Sequence, residues 1–151
     1  MYEIWLFVHV LAAVIWVGGG FALNVIGTRL VKTSDPETLG AFARETAFIG
    51  QRIYAPASLV LFAAGVAMTL DVWSFRQLWI AIGVAGFLYS FVTGAGIIGP
   101  LSGRTGKLIA EKGAHDPQVL ANIRKLFLFG RIELVVMIVV IAAMTLKPGL
   151  G

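Results

Sequence analysis

The sequence predicts an all-α membrane protein, a four-helix transmembrane bundle forming a single domain over residues 1–151, on three observations. The chain is 58% hydrophobic and 13% charged, with a mean hydropathy of +0.88, too apolar for a soluble domain of 151 residues. Uncharged stretches of 25, 18 and 27 residues separate Glu3 from Arg29, Arg52 from Asp71, and Arg76 from Arg104, where about 20 suffice for a helix to cross a bilayer. A fourth apolar run, Leu126 to Leu146, is interrupted only by Arg131 and Glu133 near one end. The runs are continuous, whereas strands of a membrane barrel alternate over about 10 residues.

The first span is expected over about 2–28. It lacks a basic start and carries Glu3 where a cleaved signal places Lys or Arg, so it reads as a permanent helix. The second is expected over 51–72, with Pro56 in its first turns, where a missing donor costs little. The third runs over 77–98 and stops at Gly99-Pro100; the fourth covers 129–146, before Pro148-Gly149. Both long connections contain a helix start of their own. Asp35-Pro36 and Asp116-Pro117 each place Asp at the cap and Pro at the first helical position. These segments predict two short amphipathic helices lying on the membrane surface.

Charge sets the expected orientation. Of the 12 Lys and Arg residues, only Arg76 and Lys147 fall on the side of the termini; the rest lie in or beside the two long connections. This asymmetry puts the connections in the cytoplasm and both termini outside a bacterial inner membrane. The net charge of +4 is thereby explained by the lipid bilayer and needs no nucleic acid. Absence of cysteine excludes disulfides, thiolate metal ligands and c-type haem attachment. No phosphate-binding glycine loop, Ser/His/acid set or paired carboxylates occur, so nothing points to a hydrolase.

The halves of the chain correspond. Trp5 answers Trp79 and Gly20 answers Gly94 at one offset; Phe48-Ile49-Gly50-Gln51-Arg52-Ile53 answers Phe127-Leu128-Phe129-Gly130-Arg131-Ile132. The chain therefore reads as two tandem helical hairpins, and His9 corresponds to Gly83, a ligand in one half against open space in the other.

His9 is the first functional suspect, because an imidazole in hydrocarbon needs a hydrogen-bond partner, a metal or a cavity. The competing structural reading is a neutral His9 bonded to a carbonyl or to Ser90 across the bundle. At 100° per residue His9, Ala13, Trp16, Gly20 and Gly27 share a stripe of the first helix. Gly83, Gly86, Ser90 and Gly94 form a small-residue face on the third, which suits close packing and would also admit a flat macrocycle. Arg131 and Glu133 point to opposite faces, and Arg52 is the expected partner of Glu133, with a proton or quinone site as the sharper alternative. His115 sits in a polar loop and reads as solvated.

The His-x6-Trp-x-Gly-Gly arrangement of His9, Trp16, Gly18 and Gly19, with the four-helix layout, resembles a bacterial family of predicted integral membrane proteins, domain of unknown function 2269. The pattern is also similar to that of HemJ-type protoporphyrinogen oxidases and copper-resistance CopD-like proteins. That resemblance implies haem b with His9 as axial ligand. HemJ-type proteins also rely on an intramembrane lysine, which is missing here, so the resemblance implies haem binding rather than protoporphyrinogen oxidation. Met68 or Met144 would supply a second metal ligand; five-coordinate haem, or two His9 residues meeting in a homodimer, are the other arrangements. Trp16, Gly20, Gly83 and Ser90 would wall the cofactor, and Arg76 would meet the propionates. The expected function is membrane electron transfer with a redox partner or quinone. The alternative is a module without cofactor, handling copper or assembling with a larger complex.

Overall fold

The computed structural model describes residues 1–33 and 35–149. Four long helices carry the chain: α1 (Tyr2–Lys32), α2 (Glu37–Val72), α3 (Leu78–Lys112) and α4 (Pro117–Leu146), each long and apolar enough to cross a membrane. The protein is thus a multi-pass integral membrane protein. At 1.5 Å per residue the 36 residues of α2 reach about 54 Å, well beyond a hydrocarbon core of about 30 Å.

That length corrects the expected element boundaries. The segments after Asp35 and Asp116 do begin as the caps predict: Asp35 accepts from the Thr38 amide at 2.9 Å and Asp116 from the Gln118 amide at 2.8 Å. They do not form separate surface helices. Pro36–Ile49 runs without a break into the second span, and Gly99–Lys112 continues the third. Pro56 and Pro100 do not mark helix ends. Each follows a π turn, Gly50–Tyr54 and Gly94–Ile98, and in both cases the proline lies six residues after the glycine that opens the turn. A proline inside a helix removes one amide and crowds the carbonyl four residues back; the wider turn relieves that crowding and the helix continues. A third π turn, Val14–Gly18, interrupts α1 without a proline. Only α4 runs unbroken.

The three π turns lie at one level of the bundle, where Gly50–Tyr54 touches both of the others. Here the helices change neighbours. Tyr2–Ala13 packs along Ala55–Val72, and Leu78–Thr93 along α4, which makes the two hairpins of the sequence reading. On the other side of the π level, Pro36–Ile49 packs mainly along Gly99–Lys112 and keeps a smaller contact with α1, where Phe42 lies against Gly27. Ser102 ties this second seam by donating to the Ala43 carbonyl at 2.9 Å.

Each end of the bundle has a small core. At the end carrying the basic connections, Val119 is fully buried among Leu39, Ile109 and Ala114, and Gly113 closes α3 at φ +83, a conformation that favours glycine. At the end carrying the termini, Trp79, Ile80 and Ala143 are buried. Trp73 and Trp79 meet edge to face at 5.2 Å, and Lys147 Nζ lies 4.4 Å above the Trp73 ring. The outer faces expose Leu70, Val92, Val135 and Ile138, as a lipid-facing surface requires.

Candidate functional site

His9 lies in the seam between α1 and α2. Its Nδ1 donates to the Leu61 carbonyl at 2.8 Å; a carbonyl only accepts, so Nδ1 carries the hydrogen and Nε2 keeps its lone pair. The partner is a carbonyl and not Ser90. A methyl group at Gly65 would come within 3.2 Å of the His9 ring, so the imidazole sits in the hollow that this glycine leaves.

The second hairpin repeats the arrangement with the roles exchanged. Gly83, the counterpart of His9, is not open space: the Met144 side chain occupies it, and a methyl there would overlap the Met144 terminal carbon. The offset of 79 residues that relates Phe48 to Phe127 also relates Gly65 to Met144. One hairpin therefore fills its seam with His9 against Gly65, the other with Met144 against Gly83. Met144 is committed to that hollow, and Met68 is buried on α2. Among the described residues no cluster of three or more His, Asp or Glu could hold a metal ion. Haem needs open space beside its imidazole ligand; the Cε1–Nδ1 edge of the ring lies against Gly65 and the cavity between the helices does not reach His9, so among the described residues of a single chain the room for haem is missing from that cavity. Arg76 lies exposed in the short turn between α2 and α3.

The remaining predicted residues come together elsewhere. A half-open cavity of about 330 Å³ lies between the four helices on the basic side of His9. Trp16, Gly20 and Gly27 line it from α1, and Ser90 and Gly94 from α3; His9 does not. The stripe on α1 is divided because the π turn at Val14–Gly18 rotates the faces before and after it relative to each other. From Trp16 to Val31 on α1 the lining spans roughly 22 Å at 1.5 Å per residue, so the cavity is a long slot. Open space lies beside Gly20, Gly50 and Gly94, where an added methyl would meet nothing within 4 Å. Gly86, by contrast, is pressed against Val140, so the Gly86/Ser90/Gly94 face is internal and offers no surface for docking. Aromatic rings close the slot toward His9. Trp16 meets Phe87 edge to face at 5.9 Å, and Phe87 stacks on Phe62 at 4.5 Å.

Most hydroxyls along the slot are satisfied by their own helices: Thr46, Ser58 and Thr105 donate to carbonyls three or four residues back. Among the buried polar atoms of the described slot residues, two lack a well-formed bond. Glu133 lines the slot and faces the Ser90 hydroxyl, yet neither Ser90 Oγ nor Glu133 Oε2 completes a hydrogen bond of ordinary geometry, and both atoms are buried. Ser90 is 1% exposed. The expected partner Arg52 is exposed at the surface, as is Arg131, and does not reach Glu133. Sequence reasoning missed Asn24, Tyr54, Phe91 and Met137 as further wall residues. The repeated Gly-x5-Pro spacing was a signal for Tyr54, which lies inside it; it does not reach Asn24, Phe91 or Met137.

The comparison with known families agrees with this architecture. Residues 3–148 match the family described as "Predicted integral membrane protein (DUF2269)". The chain belongs to that family. No curated protein and no solved structure matches it. Members of the family are described by their place in the membrane, so the chemistry of the slot rests on its residues.

Proposed function

We propose that the chain is a small-molecule-binding module of the bacterial inner membrane, with its basic end in the cytoplasm and its ligand held in the slot between the four helices. The observation that carries this reading is Ser90 and Glu133 facing each other, with Ser90 Oγ and Glu133 Oε2 buried and short of a well-formed hydrogen bond, on the wall of a largely apolar cavity. A buried polar group lacking a hydrogen bond costs about 1–3 kcal/mol, and polar groups facing a bundle interior within the membrane mark substrate or ion paths. A ligand that offers one polar head to Ser90 and Glu133, and an apolar body to Trp16, Phe91, Phe127 and Met137, meets both needs. The volume is at the lower end of the range for small-molecule pockets, about 300–1,000 Å³.

Photolabelling tests the reading. A diazirine-bearing benzyl alcohol, neutral and amphipathic, is expected to leave adducts on slot residues such as Trp16 and Met137, and Gly94→Leu is expected to suppress them by filling the open space beside Gly94. Adducts confined to lipid-facing residues and indifferent to Gly94→Leu would overturn it.

A second reading keeps His9 as a haem ligand in membrane electron transfer. The Nδ1 bond to Leu61 leaves Nε2 as the free nitrogen, which is the tautomer an axial imidazole uses. Space for the ring would then have to come from a second copy. A Soret band in purified protein that disappears in His9→Ala supports this reading; its absence from protein made in a haem-replete host removes it.

A further inference from the structure

The charge of the slot is one-sided. Among the described residues Glu133 is its single carboxyl, and no Lys, Arg or His lines it. A carboxylate in a low-dielectric cavity with no cation is costly, and polar contacts alone offset that only in part. Within the chain the nearest candidates in sequence, Arg131 and the expected partner Arg52, are both exposed on the outside. The walls meanwhile present the rings of Trp16, Phe42, Tyr54, Phe91 and Phe127. Aromatic faces attract cations through their quadrupoles and bind quaternary ammonium groups in particular. An anion would be repelled by an ionised Glu133, and a cation would favour that ionised form, whereas a neutral molecule would leave the carboxyl to hold its proton. The slot is also long, and its open stretches beside Gly20, Gly50 and Gly94 accept an extended apolar body.

Resting on the ligand-binding reading above, we infer that the slot takes a lipophilic organic cation, its ammonium group against Glu133 and Ser90 and its apolar body along the aromatic wall. The chain supplies the anion and the rings, and the ligand supplies the missing positive charge.

Competition against the photolabel separates this inference from the reading beneath it. Three small molecules of similar shape serve as competitors: benzyltrimethylammonium, its uncharged isostere neopentylbenzene, and phenylmethanesulfonate. In the unaltered protein the cation is expected to displace the label at a concentration about tenfold below the neutral isostere, with the anion weakest. Glu133→Gln should erase that preference and Glu133→Asp should keep most of it. Equal potency of cation and isostere, with slot residues still labelled, overturns the inference and leaves the binding reading in place. A tenfold preference that survives in Glu133→Gln also overturns it. If no slot residue is labelled, the binding reading itself fails. The ranking in the unaltered protein decides the matter even if Glu133→Gln does not fold.

Discussion

Replacing four glycines by alanine, one at a time, distinguishes the open slot from the closed seams. Glycine inside a helix costs about 1 kcal/mol relative to alanine, so each replacement starts with a gain of that size. Beside Gly20 and Gly94 the new methyl meets nothing within 4 Å, and the gain should survive. At Gly83 the obstacle is the terminal carbon of Met144, a flexible end that can swing aside. The replacement there should be close to neutral. At Gly86 the obstacle is a branched Val140 methyl, held in one strongly preferred rotamer on a helix. Overpacking costs about 1–3 kcal/mol, so Gly86→Ala should lower stability by up to about 2 kcal/mol after the propensity gain. Reversible unfolding in mixed micelles by stepwise addition of denaturing detergent, followed by tryptophan fluorescence, measures the series. The order expected is Gly94 and Gly20 most stable, Gly83 intermediate, Gly86 least. Gly86→Ala as stable as Gly94→Ala would refute the division into open slot and packed seam.

Other consequences follow from the same contacts. His9→Met should retain the fold within about 1 kcal/mol, because Met144 fills the corresponding hollow in the other hairpin and only one hydrogen bond, typically worth about 0.5–1.5 kcal/mol, is lost; collapse of the fold on thermal unfolding would show that the imidazole is needed for more than space. Lys147→Met should cost about 0.5–1 kcal/mol and change the emission of Trp73 and Trp79, which the ammonium overlies; an unchanged spectrum would deny the contact. At the start of α2 the Thr38 amide, and then its hydroxyl, hold the Asp35 carboxyl below the ordinary carboxylate range. A depressed folded value means the cap stabilises above the unfolded value, near 4, and is lost as pH falls through the folded one. Hydrogen exchange at Thr38 should therefore rise relative to mid-helix amides below about pH 4, and Asp35→Asn should remove this dependence while keeping the cap. Glu133→Gln should leave thermal stability equal or raised, since it removes a half-buried carboxyl that faces only the Ser90 hydroxyl among the contacts seen here; marked destabilisation would reveal an ion pair.

The sequence carried the membrane architecture because hydropathy integrates over twenty residues at a time and tolerates local irregularity. Four spans follow from it, while the two hairpins came from the internal repeat and the two caps from the Asp-Pro pairs. What hydropathy could not show was continuity through proline. Pro56 and Pro100 read as helix boundaries because the penalty for an internal proline is large, and the π turns that absorb it depend on a neighbouring helix being close. The candidate site was legible by residue but not by place. Trp16 and Gly20, expected on one stripe of the first helix, and Ser90 and Gly94, expected on one face of the third, line the slot, whereas His9 was put on the stripe of Trp16 and Gly20 by assuming an unbroken α-helix. The π turn at Val14–Gly18 invalidates that assumption for everything beyond it. Gly83 was read as empty because glycine has no side chain of its own, and the side chain that fills it, Met144, lies 61 positions away in sequence. Glu133 was assigned to Arg52 on proximity of charge in the repeat, but helix rotation turns one inward and the other outward.

Since the chain has no cysteine, single thiols can report whether the slot exists as a ligand space. Gly20→Cys and Gly94→Cys put a thiol beside open space, and Ala64→Cys puts one where only 1% of the residue is exposed. In membrane vesicles N-ethylmaleimide should modify both slot thiols and leave the Ala64 position unreacted, and benzyltrimethylammonium should slow modification of the slot thiols. Slot thiols as inert as the one at Ala64 would mean that the helices close on one another, with no room for a guest.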